Sequence, residues 1–305
     1  MIIVKNWGGV YPAGSRKGVK MMADFILSSF ADEASPMLDE QFKASKEHGF
    51  RYIEVRGVDD KNMADYTVEE AKEVARRFAD AGIGVSALGS PFGKIDITDD
   101  FEPHLEHMKK GLEIANILGT KRVRMFSFFM PKGENPDDYR TPVMERLDKM
   151  ADLCKSAGLL CCHENEKDIY GDTIARTLDV LKTFEGRIVG VFDPANFVQC
   201  KEDTLKAWEV LNPYINYVHI KDCKTDGTIV PAGKGAGNIP EILKAYSVRE
   251  GEKFVTLEPH LMEFSGLQGL EKDGASMLRY EYTFDNNRQA FDFAVGCLNE
   301  IIGSL

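Results

Sequence analysis

Four apolar runs in the second half of the chain each stop on a side chain able to hold a metal or move a proton. The run 158-GLLCCHENEK-167 passes from Leu159–Cys162 into His163, Glu164, Asn165, Glu166 and Lys167. Further on, 187-RIVGVFDPAN-196 ends on Asp193, 215-INYVHIKD-222 on His219 and Asp222, and 254-FVTLEPH-260 on Glu258. Charge where a core strand stops is costly unless something pairs with it or binds it. Three carboxylates and one imidazole suit Mn²⁺, Mg²⁺, Co²⁺ or Fe²⁺, and Zn²⁺ is also accommodated; Mn²⁺ is favoured. A divalent ion polarises a carbonyl and its neighbouring hydroxyl and acidifies the C–H between them. One carboxylate then takes the proton from one face, and a second returns it from the other.

Such a site needs elements that bring four strand ends together. From residue 25 a unit of strand, loop and helix repeats. Strands are expected at 25–30, 52–57, 84–90, 122–129, 159–164, 188–193, 215–220 and 254–258. Helices are expected near 37–48, 67–81, 101–118, 141–157, 172–185, 203–211, 239–246 and 286–302. Thr67 supplies a helix cap, and Gly49, Gly82, Gly119 and Gly158 supply stops. The strands are apolar runs without strict alternation, as strands covered on both faces should be. Eight such units predict an α/β fold of the (β/α)8 TIM barrel type. A doubly wound sheet would carry a Gly-rich turn after its first strand; this chain has Phe30-Ala31-Asp32-Glu33 there. In a barrel the carboxyl ends of all strands open onto one face. Glu164, Asp193, His219 and Glu258 end strands five to eight, 29, 26 and 39 positions apart. Neighbouring strands lie about 4.8 Å apart, so four adjacent ends can share one ion.

Further candidates surround the quartet. Lys221 shares the strand face of His219 and is placed to meet substrate oxygens. His163 should point away from Glu164 unless the strand breaks there, in which case it joins the proton transfer. Glu166 is a candidate substrate contact. Arg56, at the end of strand two, is a candidate for gripping hydroxyls or a carboxylate, and Asn196 for orienting a ligand. Asp32, Glu33 and His260 are weaker candidates, the first two competing with a plain capping role. Phe92, Phe126, Phe128 and Phe129 form either a wall for a sugar's apolar face or ordinary core. Gly233, Gly235 and Gly237 around Lys234 form either a flexible connection or a phosphate cradle. The long stretch 261–285 carries Tyr280, Tyr282 and Phe284 and suits a lid or an oligomer contact.

The pieces 162-CHENEK-167, 192-FDPAN-196, 218-VHIKD-222 and 256-TLEPH-260 together resemble the xylose isomerase-like barrel superfamily of sugar isomerases, epimerases and inosose dehydratases. The resemblance spans about residues 24–303. It implies that Glu164, Asp193, His219 and Glu258 hold a divalent metal. It also implies that Glu164 and Glu258 double as the acid/base pair of the epimerase and keto-isomerase members. The expected activity is a metal-dependent isomerisation or epimerisation of a small sugar, keto-sugar or polyol. A lyase or dehydratase on the same site, acting on an inosose or a 3-keto-glycoside, is the alternative.

Composition narrows the classes. The chain has 305 residues, 43% hydrophobic and 29% charged, with a formal net charge of -11. That acidity disfavours a nucleic-acid partner and, with so few histidines at strand ends, a multi-metal phosphodiesterase. A non-catalytic sugar-binding barrel would have no need of the four ligands. No apolar run approaches the roughly 20 residues of a membrane span. Six cysteines without CxxC spacing read as reduced thiols in a cytoplasmic protein. Residues 24–305 read as the barrel domain and residues 1–23 as an N-terminal extension, with Met21 or Met22 as a second possible start. Homo-oligomers are common for what the chain resembles.

Overall fold

The computed structural model describes residues 24–265 and 279–305. The expectations for residues 1–23, and for the part of the last long loop at 266–278, lie outside the described residues. Eight parallel strands close into a barrel: β1 (Ile26–Ser29), β2 (Tyr52–Val55), β3 (Gly84–Gly89), β4 (Arg122–Met125), β5 (Leu160–Glu164), β6 (Ile188–Phe192), β7 (Ile215–Ile220) and β8 (Phe254–Leu257). Closure is made by β8 pairing with β1, with Ile26 opposite Phe254 and Ser29 opposite Leu257.

Helices α1 (Leu38–Glu47), α2 (Val68–Ala81), α3 (Glu102–Ile117), α4 (Arg140–Ser156), α5 (Ile174–Thr183), α6 (Pro194–Gln199), α7 (Thr204–Leu211), α8 (Ile239–Ser247) and α9 (Asn287–Ser304) follow the strands. Local chemistry sets their ends. Thr67 and Glu70 exchange side-chain and backbone hydrogen bonds in a full capping box at the start of α2. Gly82 stops that helix at φ 67°, a conformation that costs glycine little and other residues more. The short helix α6 has no counterpart in the sequence reading, because Asp193 starts it with its own side chain directly after β6.

The strands are covered on both faces. Outside the barrel, helices and strand backs form one continuous core that includes Leu38, Phe78, Met108, Leu147, Leu181, Leu243 and Leu298. Inside, the floor is a small separate cluster of Ala87, Cys162, Val191, Tyr217 and Phe254. The strands also bury charge inside the barrel. Glu54, Arg124, Glu164 and His219 are all buried, and all come from strands. The barrel therefore carries its chemistry on its most rigid part, at the carboxyl ends of the strands.

One strand ends earlier than expected. The chain leaves β4 after Met125. The Phe126 and Phe128 amides donate to the carbonyls of Phe92 and Gly93 instead of to a barrel neighbour. Phe128 sits at φ 67° in that turn. Among the described residues, no helix is long and apolar enough to cross a membrane.

Candidate active site

The ends of β5, β6, β7 and β8 bring Glu164, Asp193, His219 and Glu258 together. One ligand atom from each lies within 4.8 Å of all the others, and all four residues are buried. His219 Nδ1 lies 2.9 Å from Glu164 Oε1 and 3.1 Å from Glu258 Oε2. Lys221 Nζ lies 2.9 Å from Asp193 Oδ2 and 3.9 Å from Glu258 Oε2. Lys221 therefore shares the face of His219, as strand alternation requires.

The arrangement fits a divalent cation. Glu164 Oε2, Asp193 Oδ2 and Glu258 Oε2 are buried oxygens that accept no well-directed hydrogen bond. Three such oxygens with one imidazole nitrogen are a donor set for a hard or borderline divalent ion. The second nitrogen of His219, Nε2, lies 3.1 Å from Glu54 Oε2, and the Tyr217 hydroxyl donates to Glu54 Oε1 at 2.9 Å. A carboxylate behind a ligating imidazole fixes its tautomer and orientation.

Electrostatics show how strongly these groups lean on one another. Burial would lower the His219 pKa, but Glu164, Glu54 and Glu258 together hold it well above the usual value. Burial pushes Asp193 up to about 7; Lys221 opposes the rise, while Glu164 and Glu258 add to it. Glu258 goes the other way: Lys221, His260 and His219 outweigh its burial and hold it well below the usual range. Lys221 stays charged because Asp193, Glu258, Glu166 and Glu164 outweigh its burial.

A second group of charges forms the wall between β1, β2 and β8. Arg56 donates twice to Asp32, through Nε at 2.9 Å and NH2 at 3.0 Å. It also reaches Glu33 Oε1 at 3.2 Å and Glu258 Oε1 at 3.0 Å. Its guanidinium lies between the rings of Phe30 and Phe264, 4.3 and 4.4 Å from their centroids. Gly89 is needed beside it, because a Cβ there would stand 2.7 Å from the Phe30 ring. Arg124 comes up from β4, with NH1 3.2 Å from Glu164 Oε2 and 3.9 Å from Glu258 Oε1. Lys94 pairs with Glu166 at 3.2 Å over the face of Phe126.

Two sequence candidates do other work. His163 points out of the barrel, where Nε2 meets Ser127 Oγ at 2.9 Å and the ring packs on Gly171. Burial lowers its pKa to about 3, so the ring is neutral. Asn196 is bound into the frame: its side chain donates to the Asn165 carbonyl at 2.9 Å, and its amide caps on Asp193 Oδ1 at 3.0 Å. Asn165 completes the tie. Its side chain accepts from the Asp193 amide and donates to the Asp193 carbonyl, both at 2.9 Å. Asp193 is thus a helix cap through one oxygen and a member of the quartet through the other.

The glycine-rich loop is not a phosphate cradle. Its amides already hold an internal anion: Asp222 accepts from Gly233 at 2.9 Å, Gly235 at 3.0 Å and Gly237 at 2.9 Å. Of the four phenylalanines, Phe92 and Phe128 are core under α3, whereas Phe126 lies against Arg124 and Lys94.

Glu54, Arg124, Asn165 and Lys94 had no place in the sequence-based site. Glu54 and Arg124 carried a signal, each being a charge inside a short apolar strand, 52-YIEV-55 and 122-RVRM-125. Lys94, in a loop, carried none.

The profile of the family described as xylose isomerase-like TIM barrel matches residues 42–279. The chain belongs to that family. No curated protein sequence matches it. Among solved structures it is similar to the probable 3-DHS dehydratase AsbF of Bacillus anthracis, at 17% identity and TM-score 0.68, over 90% of this chain and 98% of that one. It is similar to the IolI protein with a bound zinc atom, at 16% identity and TM-score 0.69, over 92% and 99%. It is also similar to an L-ribulose 3-epimerase, at 21% identity and TM-score 0.67, over 93% and 95%. At these identities the likeness is one of fold.

Proposed function

We propose that the protein is a divalent-metal-dependent isomerase or epimerase that moves a proton next to a carbonyl of a free sugar, keto-sugar or related polyol. The observation that carries this reading is the convergence of Glu164, Asp193, His219 and Glu258. These four would hold the ion, with Mn²⁺ favoured by three oxygen donors and one nitrogen. When bound, the ion supplies Lewis acidity toward a carbonyl and an adjacent hydroxyl. Glu164 and Glu258 stand at the two ends of the four-strand arc from β5 to β8. In this reading they meet a bound substrate from opposite sides. That placement supports one carboxylate taking the proton and the other returning it. Arg124, close to both, balances the negative charge that develops between them. Lys221 and the Lys94–Glu166 pair are the side chains placed to meet substrate oxygens, while Arg56 is occupied in holding Asp32, Glu33 and Glu258. Six free cysteines support a cytoplasmic setting.

One observation favours a second reading. The Lys221 ammonium stands between Asp193 and Glu258. A cation there can protonate a departing hydroxyl, which is what a dehydratase needs after the same proton abstraction. One of the similar folds is described as a dehydratase.

The test is metal analysis of the purified protein together with proton exchange in D₂O. Keto-sugars and inososes are incubated with the Mn²⁺-loaded protein, and the C–H signals beside the carbonyl are followed by NMR. The expected result is metal-dependent exchange that falls at least about 100-fold in Glu258→Gln. The product then separates isomerase from lyase. No bound metal and no exchange on any substrate would overturn both.

A further inference from the structure

Beside the quartet, and sharing Glu258 with it, lies a second convergence whose other two members, Glu33 and His260, the proposed chemistry does not use. Glu33, Glu258 and His260 present ligand atoms within 4.8 Å of one another, all buried. His260 Nε2 is buried and makes no hydrogen bond. It stands 3.7 Å from Glu33 Oε1 and 3.8 Å from Glu258 Oε1. Both gaps are too long for a hydrogen bond, and both suit one oxygen held about 2.8 Å from each atom.

The ring is held in place for this. His260 adopts φ 47°, in the left-handed region that few side chains occupy. Its amide donates to Glu33 Oε2 at 2.7 Å. Its imidazole stacks on Phe264, 5.3 Å between centroids and 10° from parallel. Phe264 in turn covers Arg56.

The occupant follows from the charges already present. Arg56 holds Glu33 Oε1 at 3.2 Å and Glu258 Oε1 at 3.0 Å, the same two oxygens that face His260. A second divalent ion on those oxygens would meet the same kind of repulsion that Lys221 and Arg124 present in the quartet, with two carboxylates rather than three to offset it. A neutral group that both donates and accepts meets no such repulsion. A hydroxyl does this: it donates its single proton to one of the two carboxylates and accepts from the imidazole N–H.

We infer that Glu33, Glu258 and His260, backed by Arg56, form a socket for one hydroxyl of a polyhydroxylated substrate. The socket makes this corner a specificity determinant. Glu258 belongs to both the socket and the quartet, so the hydroxyl is one carried close to the reacting carbons. The inference rests on the metal-assisted sugar chemistry proposed above. It concerns recognition, and so it can be tested apart from turnover.

The experiment measures equilibrium binding by calorimetry to the Mn²⁺-loaded protein. The probes are D-fructose, D-tagatose, D-psicose and L-sorbose, each with its monodeoxy analogues. The variants are His260→Asn, whose side chain tolerates the left-handed backbone but is too short to span the gap, and Glu33→Gln, which keeps shape and replaces the carboxyl with an amide. For at least one ketose, one monodeoxy analogue should bind wild type about 10–100-fold more weakly than its parent, because it leaves buried polar groups unpaired. That gap should close in His260→Asn and shrink in Glu33→Gln, with the discrimination against the other analogues kept. Metal stoichiometry should be the same in wild type and both variants. A gap that persists in both variants overturns the socket, as does the lack of any weaker-binding analogue. A loss of one metal equivalent in His260→Asn also overturns it, and makes the trio a second cation site. Discrimination without proton exchange keeps the socket and removes the isomerase reading.

Discussion

His219 and Glu54 face each other inside the barrel, Nε2 to Oε2, at 3.1 Å. The contact leaves Nδ1 of the same ring turned toward Glu164 and Glu258. Glu54 thereby decides which nitrogen would serve as the metal ligand in the proposed site. Replacing it with Gln keeps volume and removes the charge behind the imidazole. Glu54→Gln should weaken divalent-metal binding about 10–100-fold, measured by competition with a chelating indicator. Unchanged affinity would mean that Glu54 serves only the barrel interior.

Asp222 gives the second prediction. It accepts from the amides of Cys223, Gly233, Gly235 and Gly237, so one carboxylate organises the whole loop between β7 and α8. A Cβ at Gly235 would come within 2.3 Å of Asp222 Oδ1, so the loop wraps the carboxylate closely. Asp222→Ala leaves four donors without their acceptor and should cost about 2–4 kcal/mol in urea unfolding. A loss below about 1 kcal/mol would mean that the loop finds other partners or opens to water.

These two residues show what was legible in the chain and what was not. The barrel was legible because eight apolar runs and their glycine stops repeat, and each repeat is a local signal. The four strand-end residues stood out because charge ends an apolar run. Glu54 carried the same mark in the middle of a strand, but its meaning depends on His219, 165 positions away. Asp222 was visible as a strand-end acid, yet the glycine loop read as either a flexible connection or a cradle for an external anion. Only the fold shows that the anion is its own. His163 and Asn196 were chosen for their nearness in sequence to Glu164 and Asp193. Strand alternation turned the first outward, and helix capping tied down the second.

Arg56 carries the third prediction. Its planar fork contacts Asp32, Glu33 and Glu258 at once while its face lies between two aromatic rings. A lysine keeps the charge but cannot meet three carboxylates or stack in that slot. Arg56→Lys should lower stability by about 2 kcal/mol. Arg56→Met, which leaves buried carboxylates unpaired, should cost about 3–5 kcal/mol. Thermal unfolding with and without Mn²⁺ measures both. Equal losses in the two variants would mean that charge alone matters at this position.

The last prediction concerns pH and a group far from the quartet. His104 lies on α3, where its Nε2 accepts from the Gly93 amide at 2.8 Å. That bond needs the neutral ring. Burial, with help from His107 and Arg146, lowers its pKa from 6.5 to about 4. The unfolded chain therefore takes up a proton at this residue at higher pH than the folded chain. The stabilisation is complete above about pH 6.5, fades as pH falls toward 4, and is gone below it. Across that window it amounts to at most about 3 kcal/mol, less what solvent at the helix surface screens. His104→Gln keeps an acceptor and removes the titration. The stability of wild type relative to His104→Gln should fall steadily between pH 7 and pH 4.5. A difference that stays flat over that range would show that the ring takes its proton equally well in the folded chain, and that the Gly93 bond does not depend on its charge.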